Sequence, residues 1–242
     1  EDKLGMAQAL GNQGVIHSIN GDYKRALECH EKTFDIREKL GDKSGISAAL
    51  VNIGIIIYNL GDYDRALDYY SRALAYATKL DNKHVISILN DNIGIIYRNK
   101  RKYDKAIEHH EISLKMRENL EDKIGIAASL NNIGIIYEYK RDYKSAIKYL
   151  TKSLKLQKEI KLIEWQLETI TFLTLSKKYE GKKYDIKIIQ NLLKSTENIE
   201  FELNYHLYQL LEKQLYLENA YSQVQEKAEN LKFDVRSKFL KT

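Results

Sequence analysis

The chain has 242 residues, enough for a sizeable core, and its 43% hydrophobic and 30% charged side chains are globular rather than disordered usage. It holds 18 tyrosines and no proline, which argues against a turn-rich sandwich or barrel and for helices joined by short loops. The net charge of +5 comes without a basic block, so nucleic acid is not an expected partner, and the longest apolar run, 53–58, falls far short of the ~20 residues of a membrane span. One cysteine, Cys29, excludes an internal disulfide framework and a thiolate zinc site, and it fits a reducing compartment. A cytoplasmic location is the expectation.

A unit of 40 residues recurs along the first two thirds of the chain. Asn12 and Gly14, Asn52 and Gly54, Asn92 and Gly94, Asn132 and Gly134 head the copies. Nine residues after each glycine stands Tyr23, Tyr63, Tyr103 or Tyr143, and three further on Ala26, Ala66, Ala106 or Ala146. Phe34, Leu74, Leu114 and Leu154 follow as an apolar column. Within a copy the spacing is helical: Leu50, Ile53 and Ile57 run at i, i+3, i+7, then Ala66, Leu67, Tyr70 and Leu74 at i, i+1, i+4, i+8. Asp62 lies between the two stretches as an N-cap for the second. Each copy therefore predicts an antiparallel helix pair of roughly 15–17 residues per helix. A glycine inside a helix costs ~1 kcal/mol against alanine. Gly54 is explained if it faces Ala66 and lets two backbones approach. One such pair cannot bury both faces alone, so the pairs must stack.

After residue 160 the register weakens. A fifth, degenerate pair is expected over 162–179 and 184–199, and a sixth over 201–217 and about 219–240. No glycine or proline follows Gly181, which predicts long helices there. Leu217, Tyr221, Val224, Ala228, Leu231, Val235 and Phe239 form one apolar stripe, expected as a cap on the stack or a coupling helix. Three parts result: 1–160 with four regular pairs, 161–200 with a fifth, and 201–242 with the C-terminal long helices.

The pattern Ile53-Gly54, Gly61-Asp62-Tyr63 and Ala66, and again Ile133-Gly134, Tyr137, Tyr143 and Ala146, resembles the tetratricopeptide repeat over residues 4–160. The unit is 40 residues where that repeat usually has 34, and Leu-Gly-Asp-Lys or Leu-Glu-Asp-Lys loops stand in place of its closing proline. The longer unit is most similar to kinesin light chains, spindle-orientation adaptors and Rap-type regulators. The resemblance implies an all-α, right-handed superhelix of about five to six helix pairs, with a concave groove that holds a peptide or protein.

With Gly54 toward its partner helix, Asn52 lies about 160° around the first helix. The stripe on that face is Ala48, Asn52, Ile55 and Asn59. Its equivalents are Gln8, Asn12, Val15 and Ile19; Ile88, Asn92, Ile95 and Asn99; and Ala128, Asn132, Ile135 and Tyr139. First helices line the concave side of such a superhelix, so these residues are the candidate groove. A column of amides can pair with the N–H and C=O groups of an extended peptide whatever its sequence. Alternatively, each asparagine bonds to the neighbouring first helix. Relatives that clamp acidic tails carry Lys just before the Asn column and Asn or Arg three residues after it. Here those positions hold Gly11, Val51, Asp91, Asn131 and Val15, Ile55, Ile95, Ile135, so the clamp is absent. Arg98, Asp91 and Glu138 add mixed charge near the third and fourth units.

His30 and His110 share the column of Tyr70 and Leu150, a packing position, and lie two units apart, too far to share a metal. Cys29 aligns with Tyr69, His109 and Tyr149, where partial burial is expected. No catalytic residue, metal or cofactor is expected. Two functions remain: a non-catalytic scaffold that binds an extended peptide or protein segment, or the sensor domain of a larger signalling enzyme. Residues 1–5 align with 41–45 and 121–125, so the chain is expected to begin inside a loop between units. A further helix upstream, or self-association through that uncapped end, is then expected.

Overall fold

The computed structural model describes residues 2–194, 196 and 199–229, apart from the side chain of Lys227. Twelve helices and no strand occur among them: α1 Lys3–Ile19, α2 Tyr23–Lys39, α3 Lys43–Asn59, α4 Tyr63–Lys79, α5 Lys83–Asn99, α6 Tyr103–Asn119, α7 Lys123–Tyr139, α8 Tyr143–Glu159, α9 Gln166–Tyr179, α10 Lys187–Leu193, α11 Phe201–Leu211 and α12 Gln214–Glu229. The first eight are all 17 residues long and begin every 20 residues. The fold is the all-α tetratricopeptide-repeat solenoid.

One linker chemistry explains this regularity. Between α1 and α2, the Gly21 amide donates to the Ser18 carbonyl at 3.1 Å and the Asp22 amide to the His17 carbonyl at 2.9 Å. That paired closure needs a left-handed residue, and Gly21 supplies it at φ 74°. Asp22 then caps α2, accepting from the Arg25 amide at 3.2 Å. Asp42, Asp62, Asn82, Asp122 and Asp142 cap their helices the same way. Lys102, before α6, makes no such bond. From the fourth linker the left-handed position passes to Asp81, Arg101, Glu121, Arg141 and Lys161. Each costs about 1–2 kcal/mol against a relaxed backbone.

The chain forms two compact units, residues 1–96 and 97–242. In the first, Ile46, Leu50, Ile53, Ile56 and Ile57 of α3 are buried with Ala66 and Tyr70 of α4. A Cβ on Gly54 would lie 2.5 Å from Tyr70 Cε1, and one on Gly14 2.7 Å from His30 Nε2. The glycine column thus makes room for the 30/70 column, and Ala66 is not the residue that covers Gly54. A helical side chain leans toward its own N-terminus, so the cover comes from further along α4 than Cα height suggests. The column of Phe34 and Leu74 is only half-buried, while Thr33 and Ala73 beside it are buried. On α1, Met6 is 50% exposed and Ile16 57%, although their equivalents in α3, Ile46 and Ile56, are buried.

In the second unit Ala146, Leu150, Ile135, Phe172 and Leu173 form one cluster. Leu167, Ile170, Leu175, Ile189, Leu207 and Leu210 form another, which joins α9, α10 and α11. A Cβ on Gly134 would lie 2.6 Å from Leu150 Cγ and 3.1 Å from the Leu150 amide nitrogen.

α10 and α11 are shorter than expected. α10 has 7 residues and begins at Lys187, whose amide donates to the Asp185 carboxylate at 2.8 Å. The helix expected over 201–217 stops at Leu211, where Glu212 turns left-handed at φ 55°. Neither break uses glycine or proline, so their absence was no guide to length. Along α12 the expected stripe is packed only in part: Ala228 is buried and Leu217 and Val224 are half-buried, but Tyr221 is 66% exposed, while Ala220 beside it is buried. Leu231, Val235 and Phe239 lie outside the described residues.

Candidate functional site

In the first unit the candidate groove residues keep their surface. Asn12 is exposed and accepts from Gln8 Nε2 at 3.1 Å, one turn back on the same helix. Asn52, Asn59, Asn92 and Ile95 are half-buried, and Ile55 is 36% exposed. Asn52 lines a shallow cleft of about 210 Å³ with Ala48, Val51, Val85 and Ile88. Its walls are largely apolar, with the Asn52 and Asn82 amides and the Ser44 and Ser47 hydroxyls as polar groups.

The same face of the second unit is built differently. Asn132 is half-buried and lines a cleft of about 590 Å³ between α7, α9 and the start of α11. Ile135 is 1% exposed beneath Phe172, so its side chain is core and offers a ligand no surface. Tyr139 is half-buried, with its ring edge-on to Phe172 at 6.0 Å. Its hydroxyl donates to the Glu202 carboxylate, and burial, above all, holds its pKa high. Glu202 also meets Arg98 at 3.6 Å. Asn99 accepts from Arg98 Nε at 3.4 Å. The start of α11 therefore meets the C-terminal ends of α5 and α7, three and two pairs back in sequence. His206, one turn into α11, packs its ring against Phe172 at 4.4 Å, tilted by 46°. Its Nδ1 donates to the Glu202 carbonyl at 2.7 Å, and burial lowers its pKa.

Two adjacent asparagines divide the work. Asn131 is buried; its amide donates to Glu168 Oε2 at 2.7 Å and its carbonyl accepts from Thr169 Oγ1 at 2.8 Å. Gln157 Nε2 donates to the same Thr169 hydroxyl at 2.8 Å. That is a structural junction between α7, α8 and α9. Among the described residues, the side chains of Asn52, Asn92 and Asn132 make no hydrogen bond within the protein. The alternative in which each asparagine ties one first helix to the next is therefore not what these amides do.

Sequence reasoning missed Glu168, Glu200 and Glu202, which line the larger cleft with Glu164 and Trp165. They fall where the 40-residue register is lost, so no column pointed to them. The doubled Asn131-Asn132, set against Gly11, Val51 and Asp91 before the other column asparagines, was the one available signal. Burial, first of all, and the nearby Glu202 and Glu200 carboxylates push the Glu168 pKa up, against Arg98 and the Asn131 amide. Asp91 and Glu138 are buried, and burial pushes Glu138 up to about 7. They are not a solvated charge face.

His30 and His110 are buried packing residues, and His109 stacks on Tyr97 at 5.4 Å. Among the described residues no group of three or more His, Cys, Asp or Glu side chains is placed to hold a metal ion. Nor is any described helix long and apolar enough to cross a membrane.

Comparison with curated proteins gave no match. Among solved structures, the apo form of RapI is 17% identical, with a TM-score of 0.77 over 95% of this chain and 85% of that one. A Rap protein complexed with Competence and Sporulation Factor is 18% identical, with a TM-score of 0.66 over 96% and 72%. A signal-transduction ATPase with a tetratricopeptide repeat sensor, from Pyrococcus horikoshii, is 16% identical with a TM-score of 0.69. The match takes 95% of this chain and 34% of that one. These likenesses are likenesses of fold. The tetratricopeptide repeat profile matches residues 5–79 and 84–159, more than half of the sequence. The chain belongs to the tetratricopeptide repeat family.

Proposed function

We propose that the chain is a non-catalytic interaction scaffold whose ligand is an extended peptide or protein segment laid on the first-helix face. The observation that carries this reading is the unspent Asn132 amide at the wall of a 590 Å³ cleft, beside the spent Asn131. An amide with two donors and one acceptor, half-buried and unpaired, suits the backbone of an extended segment. Asn52 repeats the arrangement in the shallower cleft of the first unit. The Rap protein that holds Competence and Sporulation Factor has this fold and supports a ligand of that kind.

The test is selection of peptides from a random library on the intact protein, followed by calorimetric titration. Selected peptides are expected to bind the protein and to lose about tenfold or more in affinity with the double change Asn92→Ala and Asn132→Ala. Unchanged affinity would overturn the reading. A second reading, the sensor part of a larger signalling protein, draws on the ATPase with its repeat sensor. Further catalytic or DNA-binding sequence in the same open reading frame would favour it.

A further inference from the structure

The larger cleft carries a charge at odds with the rest of the chain. Among the described residues, the carboxylates of Glu164, Glu168, Glu200 and Glu202 line it and no lysine, arginine or histidine does so, in a chain of net charge +5. Arg98 meets Glu202 at 3.6 Å from outside the lining. Glu168 spends one oxygen on Asn131, whereas Glu164 and Glu200 are exposed. Like charges gathered between low-dielectric walls focus a negative potential into the space they share. Burial and the neighbouring carboxylates already disfavour the charged form of Glu168. An entering cation relieves that cost. Trp165, 39% exposed on the same wall, offers a ring face on which a guanidinium can stack, and apolar side chains beside it suit a methylene stem.

We propose that the segment bound on this face inserts an arginine side chain into the cleft, its guanidinium held by Glu164, Glu168 and Glu200 while Asn132 pairs with the backbone beside it. The inference rests on the scaffold reading and adds the chemical class of the ligand. It also explains why the acidic-tail clamp is missing from this groove: such a tail would meet carboxylates.

Three fluorescein-labelled hexapeptide pools, randomised except for one fixed central residue, separate the two claims. The fixed residue is arginine, norleucine or glutamate. The intact protein is expected to bind the arginine pool at least tenfold more tightly than the norleucine pool, and the glutamate pool least. Raising salt from 50 to 500 mM should narrow that gap. The double change Glu164→Gln and Glu200→Gln, at exposed positions, should remove most of the arginine preference and leave norleucine binding and the melting curve unchanged. Equal binding of the arginine and norleucine pools overturns the arginine pocket and leaves the groove standing. An arginine preference that survives the double change also overturns the pocket. Binding of none of the pools overturns the groove with it.

Discussion

The eight helices of residues 3–159 and the four that follow solve the same packing problem in different ways. The first eight share one length and one linker, and a glycine on one helix makes room for the 30/70/150 position of the next. The last four run to 14, 7, 11 and 16 residues and share no column. They are held by a cluster that occurs once, Leu167 to Leu210, and by polar contacts from α11 back to Arg98 and Tyr139. Repetition makes a scaffold, and departure from it makes a cleft. The larger cleft opens where α11 leaves the stack.

Overpacking a repeat should have the largest effect. Gly134→Leu places side-chain atoms where a Cβ alone would already lie 3.1 Å from the Leu150 backbone nitrogen. The paired helices must separate, at a cost of about 1–3 kcal/mol or more. A thermal melt should show it, and an unchanged melt would mean that Gly134 does not face α8. The adjacent asparagines sharpen the comparison at the seam between the two regions. Asn131→Ala leaves Glu168 and Thr169 without their partner and should cost about 1–3 kcal/mol. Asn132→Ala loses no internal bond and gains helix propensity, so its melt should be unchanged. Equal losses in the two variants would erase the division between structural and ligand-facing amides.

A smaller effect should appear with pH, and its sign differs between the regions. Glu138, on α7, has its pKa raised from 4.5 to about 7, so the folded chain keeps a proton that the unfolded chain releases. Its contribution is complete below about 4.5 and is lost as pH rises through about 7. His206, on α11, is lowered from 6.5 by burial. Its contribution is complete above about 6.5 and declines as pH falls below it. Glu138→Gln should therefore flatten the loss of stability between pH 5 and 8, and His206→Gln should flatten the loss on acidification. Denaturant titrations at several pH values check both signs, and a pair of curves parallel to the parent would contradict them.

How much of this was legible in the sequence follows the same divide. Asp62 as a cap, the 17-residue helices and the buried 30/110 histidines could be read from columns, because each position was sampled four times. Ile135 could not, since its burial comes from Phe172, which belongs to no column. The pairing of Gly54 with Tyr70 was missed by one turn because side-chain lean is not part of a wheel. The break at Glu212 was missed because the left-handed residue there is not a glycine. The acidic wall of the cleft depends on where α11 is placed, and no local pattern encodes that placement.

The central claim is that a peptide lies on the first-helix face beside Asn132. Hydrogen–deuterium exchange of the intact protein, with and without a library-selected peptide, tests it most directly. The account predicts added protection in α7, α9 and the start of α11, with α8 unchanged. Protection confined to the second helices, α8 foremost, would contradict it.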